Sequence, residues 1–337
     1  RQKAARAEGR YLGIGISFGV KGTGRGPFET AIVRIGTSGK ISVYTGAAPM
    51  GQSTRTMMAQ IVAEQLGGDI ENIEVIAGDT QQIPMGMGGF GSRQAITAGS
   101  SGHIAAVEVR EKALKVAAHL LETSEEDLEI NGQNINVKGV PDMSISLGQV
   151  AHAVAGTPGY ALPGGITPGM ESTQNFLTDP LAYCYGAHIC EVEADPETGG
   201  AKILKYTITH DSGTLINPMI VAGQVTGGVA HGIGNAMFEW MGYDDDANPV
   251  TTNFGEYLLP SAPETPNFDV EFLESPSPLN PLGVKGAGEG STVPAAAAII
   301  SAIEDALSPF NAHIAEAPVT PARLVELVKE GQENKAS

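Results

Sequence analysis

Apolar residues fall at alternate positions or in short runs over residues 31–35 and 41–44, with Thr37, Ser38 and Gly39 between them, and this predicts a β-hairpin. After a loop over residues 46–53 the period changes. Met57, Ile61, Val62 and Leu66 recur at helical spacing, and Ser53 or Thr54 stands where it can cap a helix running to Leu66. Residues 73–77 predict a short strand. Residues 78–99, with Pro84 and many glycines, read as loop, and residues 101–121, rich in Ala, Val and Leu, predict a long helix. Residues 124–127 form a capped turn, and residues 128–130 and 135–137 flank Asn131-Gly132 as a second hairpin. A short helix is expected over 146–154.

Residues 156–180 are rich in Pro, Gly and Thr and predict a surface connection, the natural place for a boundary between domains 1–155 and 156–337. Beyond it, Ala182–Ala194 and Ala201–Asp211 read as partner strands around the turn 195–200. Residues 217–237 are apolar and glycine-rich, which predicts a helix packed very closely on a neighbour. A strand over 268–274, an Ala/Ile-rich helix over 291–307 capped by Ser291 or Thr292, and an amphipathic helix over 317–328 complete the chain. No repeat of fixed period is present, and the elements mix without regular β–α–β alternation. The fold class is therefore α+β, with mixed sheets packed against helices.

Composition narrows the function. The chain has 337 residues, enough for about two domains, and its net charge of −18 speaks against a broad nucleic-acid surface. No apolar run is long enough for a bilayer and no signal peptide opens the chain, so the expected location is cytoplasmic. Arg1 stands where an initiator Met would, as in a processed or longer chain. Cys184 and Cys190 fit no zinc or iron–sulfur spacing and read as two small buried side chains on one strand face, in a reducing compartment.

Candidate chemistry lies in three loops. Residues 86–91 satisfy G-x-G-x-x-G, but Pro84 precedes them and residues 94–99 delay the helix, so a dinucleotide fold is rejected. With Ser92, Arg93 and Gln94 behind it, the loop can be either an anion cradle or a structural turn. Gly51, Gln52 and Ser53 sit at a strand-to-helix junction, where free N–H groups favour anions; an ordinary helix cap is the plainer alternative. Residues 282–290 are the most informative. Glu289 lies between glycines just before an apolar helix, a position that suits a general base or, more simply, an acid favoured by the helix dipole. His188, His210 and His231 read as satisfied core groups, no metal-ligand or Ser/His/Asp pattern is present, and the acidic run 244–246 does not fit a calcium loop.

Five segments in order resemble the molybdenum hydroxylase family, which includes the xanthine oxidases, aldehyde oxidases and carbon monoxide dehydrogenases. They are Gly15-Ile16-Ser17-Phe18; Gly51-Gln52-Ser53 followed by residues 59–64; Gly78-Asp79-Thr80 leading to Gly91-Ser92-Arg93; residues 211–218 followed by 223–228; and Gly283-Val284-Lys285-Gly286-Ala287-Gly288-Glu289. Together they span nearly the whole chain, and their wording is most similar to the carbon monoxide dehydrogenase branch. The resemblance implies a C-terminal half of the large molybdopterin-binding subunit. It implies molybdopterin cytosine dinucleotide with Mo (sulfido/oxo), its metal held by the pterin and not by protein side chains. Gly51, Gln52, Ser53, Gly91, Ser92, Arg93 and Gln94 would hold pterin and phosphates, and Gln224, Lys285, Gly286 and Gly288 would line the pterin and metal end. Glu289 would be the catalytic base for hydroxylation of an electron-poor carbon in an N-heteroaromatic, purine or aldehyde, and Phe18 would meet the substrate. Electrons would leave to Fe-S clusters and FAD on partner chains.

Ser53 departs from the Gly-Gln-Gly common in the family. The family's early Gly-Gly-Gly-Phe-Gly loop and its substrate-gripping Arg segment are not in this chain, which implies a split subunit or a cut longer one. The expected partners are the other half of the large subunit, an iron–sulfur small subunit, an FAD medium subunit and a small-molecule substrate, with dimerisation of the complex left open. A non-catalytic scaffold half and an unrelated carboxylate-dependent hydrolase are the alternatives.

Overall fold

The computed structural model describes residues 1–156, 158, 162 and 165–336. In chain order the strands are β1 (Tyr11–Thr23), β2 (Phe28–Ile35), β3 (Ile41–Thr45), β4 (Ile73–Ala77), β5 (Leu128–Asn131), β6 (Asn134–Val137), β7 (Val140–Ser146), β8 (Glu171–Leu177), β9 (Ala182–Ala194), β10 (Ala201–Asp211) and β11 (Phe268–Leu273). The helices are α1 (Gln2–Ala7), α2 (Thr54–Leu66), α3 (Gln94–Leu121), α4 (Leu147–Ala153), α5 (Pro218–Met237), α6 (Thr292–Ala306) and α7 (Pro321–Ala336).

Two α/β layers result. In the first, β4-β3-β2-β8 form one sheet. β2 and β3 are the expected hairpin, β4 joins β3 in parallel after the α2 crossover, and β8 pairs with the far edge of β2. α2 and α3 cover the sheet, burying Val33, Val43, Met58, Val62 and Val109 between them. β5, β6 and β7 form a small antiparallel sheet whose first turn is Asn131-Gly132, with Gly132 left-handed at φ 60°.

The second layer is the sheet β1-β9-β10-β11, antiparallel except for β10 and β11. α5 and α6 cover it, burying Val192, Tyr206, Ile208, Val229, Ile299 and Ile303. The glycine-rich α5 packs closely, as its composition suggested: a Cβ on Gly232 would overlap that of Ala295 on α6.

The tightest seam is between β1 and α6. A Cβ on Gly13 would overlap the Ala302 carbonyl, one on Gly15 the Ala298 carbonyl, and one on Gly19 would come within 2.9 Å of the Pro294 ring. The repeats match. Two strand residues advance about 6.8 Å and four helix residues about 6 Å, so Gly13 and Gly15 meet successive turns of the alanine ridge Ala298-Ala302-Ala306, with Ser17 next on the same face. Asp305 of the same helix accepts the Ile14 backbone N–H at 2.8 Å, satisfying one donor on the open edge of β1.

Several elements differ from the sequence expectation. β1 is absent from it because the strand's covered face is glycine and its apolar residues, Ile14, Ile16, Phe18 and Val20, are exposed, which inverts the usual signal. α3 begins at Gln94, not 101. Residues 94–102 have poor helix propensity, but they are buried, and Gly99 and Gly102 admit Ile61 and Met58 of α2. The helix thus follows residues 86–91 directly. The missing feature of a dinucleotide fold is the strand before them, since β4 ends at Ala77. β8 lies inside the expected connection, where its alternating burial occupies one edge of the first sheet. Ser53 and Ser291 occupy helix N-cap positions, but neither side chain makes a capping bond. The last helix starts at Pro321, not 317, because Pro318 and Pro321 disfavour helical backbone before them. The division at 155/156 does not coincide with the sheets: β1 lies in the second sheet and β8 in the first. Among the described residues no helix is long and apolar enough to cross a membrane.

Gly15→Val should lower stability by about 3 kcal/mol or more, because overpacking against backbone cannot relax by rotamer change. Urea unfolding measures it, and an unchanged midpoint would mean that the seam is looser than the distances indicate.

Candidate functional site

The two layers meet at a cleft of about 660 Å³, within the range of small-ligand and cofactor sites. Three loops wall it, residues 50–54 before α2, residues 89–95 at the start of α3 and residues 284–289 before α6, together with the segment from Ser212 to Gln224 that leads from β10 into α5.

In the first loop, Gly51 has φ 102° and open space around its backbone, and Ser53 is left-handed at φ 62°. The Gln52 side chain accepts from the Met50 N–H at 2.6 Å and donates to Gln94 Oε1 at 2.6 Å. Gln94 also accepts from the Thr54 hydroxyl and donates to the Ala48 carbonyl. These two glutamines, both expected to hold a ligand, tie the first two loops together.

In the second loop, Gly91 and Ser92 are left-handed, at φ 58° and 52°. The Arg93 guanidinium is fully buried and turned away from the cleft. It donates to Glu29 Oε2 and the Gly88 carbonyl, each at 2.8 Å, and to the carbonyls of Arg25 and Phe28, with the Phe90 ring 5.1 Å away. The expectation that this side chain holds phosphate is corrected: its donors are engaged inside the protein. The glycine loop does cradle an anion, but that anion is Glu29, which accepts the N–H groups of Met87 and Gly88 at 3.2 and 3.1 Å. The sequence signal was available, since a lone acid inside the apolar strand 28–35 needs a buried cation.

In the third loop, Lys285 is likewise engaged. Its amine lies 2.9 Å from the fully buried Asp211 and 4.7 Å from the centre of the Tyr185 ring. Burial works against the Asp211 carboxylate, but bonds from Lys285, Ser275, the Gly213 N–H and Tyr185 outweigh it and hold its pKa below the usual range. Gly286 touches the second loop: its N–H donates to Thr23 Oγ1 at 3.1 Å, and a Cβ there would overlap the Ser92 carbonyl. Gly288 faces Gln224 and Ser92 with room for ordinary contact, and the Gln224 amide makes no hydrogen bond among the described residues.

Glu289 stands at the mouth, its side chain 53 % exposed. The Ser92 hydroxyl accepts its backbone N–H at 3.0 Å and donates to its Oε2 at 3.3 Å. Lys21 of β1, which sequence reasoning passed over, places its amine 2.6 Å from the same oxygen. The only hint was a single cation on the glycine face of a strand. Phe18 is not brought to the cleft lining. It is 66 % exposed on the outer face of β1, its ring 6.4 Å from that of Tyr185.

Beneath the loop before α6 lies a buried polar group. A Cβ on Gly290 would meet the His210 ring at 2.7 Å and the Cys184 sulfur at 2.9 Å. His188 bonds Tyr206 through Nδ1 at 2.9 Å, but His188 Nε2 and both His210 nitrogens have no partner among the described residues, and His231 is exposed on α5; the expectation of three satisfied core histidines is corrected for His210 and His231 and holds for His188 at one nitrogen alone. Burial, and for His188 the nearby His210, pushes each pKa down to about 4, with Asp211 opposing the fall at His210. Burial raises the free Cys184 thiol to about 11 and, with Glu191, Cys190 to about 12, so neither is a thiolate nucleophile at neutral pH. No group of three His, Cys, Asp or Glu side chains among the described residues could hold a metal ion.

The chain matches the family described as "Molybdopterin cofactor-binding domain" over residues 1–266. It is 40 % identical over 323 residues to the 6-hydroxypseudooxynicotine dehydrogenase complex subunit gamma of Paenarthrobacter nicotinovorans, covering 96 % of this chain and 40 % of the relative. It is 38 % identical over 341 residues to the nicotine 6-hydroxylase large subunit of the same organism, covering 98 % and 42 %. Its structure superposes on quinoline 2-oxidoreductase from Pseudomonas putida 86 with a TM-score of 0.90 at 36 % identity, covering 98 % of this chain and 43 % of that one. The chain thus spans about two fifths of the length of these relatives.

Removing one partner of a fully buried ion pair costs about 3–5 kcal/mol, so Arg93→Met should lower unfolding stability by that order and loosen the second loop. A loss under about 1 kcal/mol, the size of an exposed pair, would contradict the buried geometry. The two histidines predict a pH dependence. Unfolded, they protonate near 6.5; folded, they stay neutral down to about 4. Their contribution to stability is therefore complete above 6.5 and falls as pH drops toward 4, by about 1.4 kcal/mol per pH unit for each histidine. Urea titrations across that window should show the slope, and replacing both histidines with Gln should flatten it.

Proposed function

The chain belongs to the molybdopterin cofactor-binding family of molybdenum hydroxylase large subunits, and on that premise we propose that it walls the cofactor cleft and supplies the catalytic base, Glu289. The observation that carries this reading is the position of that carboxylate at the cleft mouth, pinned by backbone and side chain to Ser92 of the facing loop.

The residues present fit a phosphorylated pterin. Gly51 offers open backbone, Gln224 a free amide, and Ser212 a buried hydroxyl that lines the cleft with no partner among the described residues. Of the cations in the cleft loops, the Arg93 guanidinium points away to Glu29, and Lys285 is paired with Asp211. Phosphates would therefore be held by backbone N–H groups at residues 51–53 and at the start of α2, and by hydroxyls. Gln224, Gly286 and Gly288 would border the pterin, and Gln52 and Gln94 would fix the loops. The cofactor, molybdopterin cytosine dinucleotide in this reading, would supply the two-electron redox chemistry and take its metal ligands from the pterin.

Glu289 would accept the proton released as water-derived oxygen becomes a nucleophile, a task for a carboxylate within reach of the cleft yet not buried in it. The substrate would be an electron-poor carbon, with an N-heteroaromatic ring favoured because relatives are named for nicotine and quinoline; purines and aldehydes are the other classes. Electrons would pass to Fe-S clusters and FAD on small and medium subunits of a cytoplasmic complex that also contains the other half of the large subunit. Relatives carry the names "complex subunit gamma" and "large subunit".

In the assembled complex, Glu289→Gln should keep molybdenum and pterin at the unsubstituted level while turnover falls by about 10²–10⁴-fold, the usual contribution of a general base. Metal analysis and steady-state kinetics measure both. Near-normal turnover would remove Glu289 from the role, and a complex with no molybdenum or pterin would identify a scaffold half.

A further inference from the structure

We propose that Lys21 is a positioning residue for Glu289: it holds one carboxylate oxygen so that the other is presented to the cleft. This rests on the reading of Glu289 as the base.

The two oxygens of Glu289 have different surroundings. Oε2 receives the Lys21 amine at 2.6 Å and the Ser92 hydroxyl at 3.3 Å. Oε1 has no partner among the described residues. A carboxylate gripped through one oxygen by a cation and a hydroxyl loses its freedom to rotate, and the ungripped oxygen keeps its lone pairs for a proton. The backbone bond from Glu289 N–H to the same Ser92 hydroxyl fixes the base of the side chain as well.

Lys21 is built to hold its end. Its side chain is only 18 % exposed, and its amine also reaches the Gly22 carbonyl at 3.3 Å. It stands opposite Cys184 of β9 on the covered face of β1, the face that carries Gly13, Gly15 and Gly19. Those glycines draw β1 onto α6, and Glu289 lies just ahead of that helix. The strand register and the helix start therefore set the distance between ammonium and carboxylate. An ion pair with one half-exposed partner adds little to stability, which leaves geometry as its main effect. The cation of the Glu289 loop itself, Lys285, is engaged with Asp211.

The test compares Lys21→Met, Lys21→Gln and Lys21→Arg in the assembled complex, beside Glu289→Gln. Positioning predicts molybdenum and pterin content and KM within about two-fold of the unsubstituted complex, and kcat lower by about ten- to hundred-fold in the Met and Gln variants, the scale of a small misplacement of a reacting group. Arg should restore most of the rate. A crystal structure of the Met or Gln variant, whichever assembles, should show the carboxylate turned from its present orientation. Undiminished kcat in the Met or Gln variant, with Glu289→Gln inactive, overturns the role of Lys21 and leaves the base in place. Loss of cofactor from those variants also overturns it, by making Lys21 structural. If Glu289→Gln itself keeps turnover, the reading of the base fails, and the proposal with it.

Discussion

Helix α6 lies so close to β1 that Gly13 and Gly15 have no room for a side chain. That approach requires glycine at alternate strand positions and alanine on each turn of the helix, and it aligns two elements about 280 residues apart in sequence. The consequences run to the cleft. The strand ends at Thr23, whose hydroxyl receives the Gly286 N–H, and Gly286 in turn lies against the Ser92 carbonyl. Second layer, the loop before α6 and first layer are joined through the backbone of Gly286, with the short Thr23 hydroxyl on one side and the Ser92 carbonyl on the other, so the cleft walls have little freedom to separate.

The second organising feature is the disposal of charge. The chain is strongly acidic, yet each cation at the cleft faces a carboxylate: Arg93 faces Glu29, Lys285 faces Asp211, and Lys21 faces Glu289. The first two pairs are buried, where an unpaired charge would be costly, and both stiffen loops. The third is at the mouth and leaves one carboxylate oxygen open. Under the proposed function, a phosphorylated ligand in such a cleft would meet oriented N–H dipoles and hydroxyls instead of mobile cations. This arrangement costs less reorganisation and discriminates by shape.

The left-handed residues Ser53 and Ser92 belong to the same design. Non-glycine residues in that region carry local strain, which persists where surrounding structure over-determines it. Here the Gln52–Gln94 bridge and the Arg93–Glu29 pair hold the two loops from behind. The side chains of Gln52, Gln94 and Arg93 thus brace the loops whose open backbone borders the cleft.

The sequence alone determined the elements with undisturbed periodicity. β9 and β10 agree with expectation to the residue, as does the Asn131-Gly132 turn, because alternation and turn chemistry are local properties. It also determined the family, through five ordered segments, and marked the glycine-flanked Glu289. Tertiary structure decided what depends on partners distant in the chain. It made the glycine face of β1 the covered one, started α3 at Gln94 by burying a poor helix former, and placed β8 on the first sheet. It paired the Arg93 guanidinium with Glu29, tied Gln52 to Gln94 across two loops at the cleft, and brought Lys21 to Glu289 across 268 residues. A charge or an amide in a sequence announces that it needs a partner; only the packed chain fixes which groups meet one inside the protein, as Arg93 meets Glu29, because that depends on elements distant in sequence.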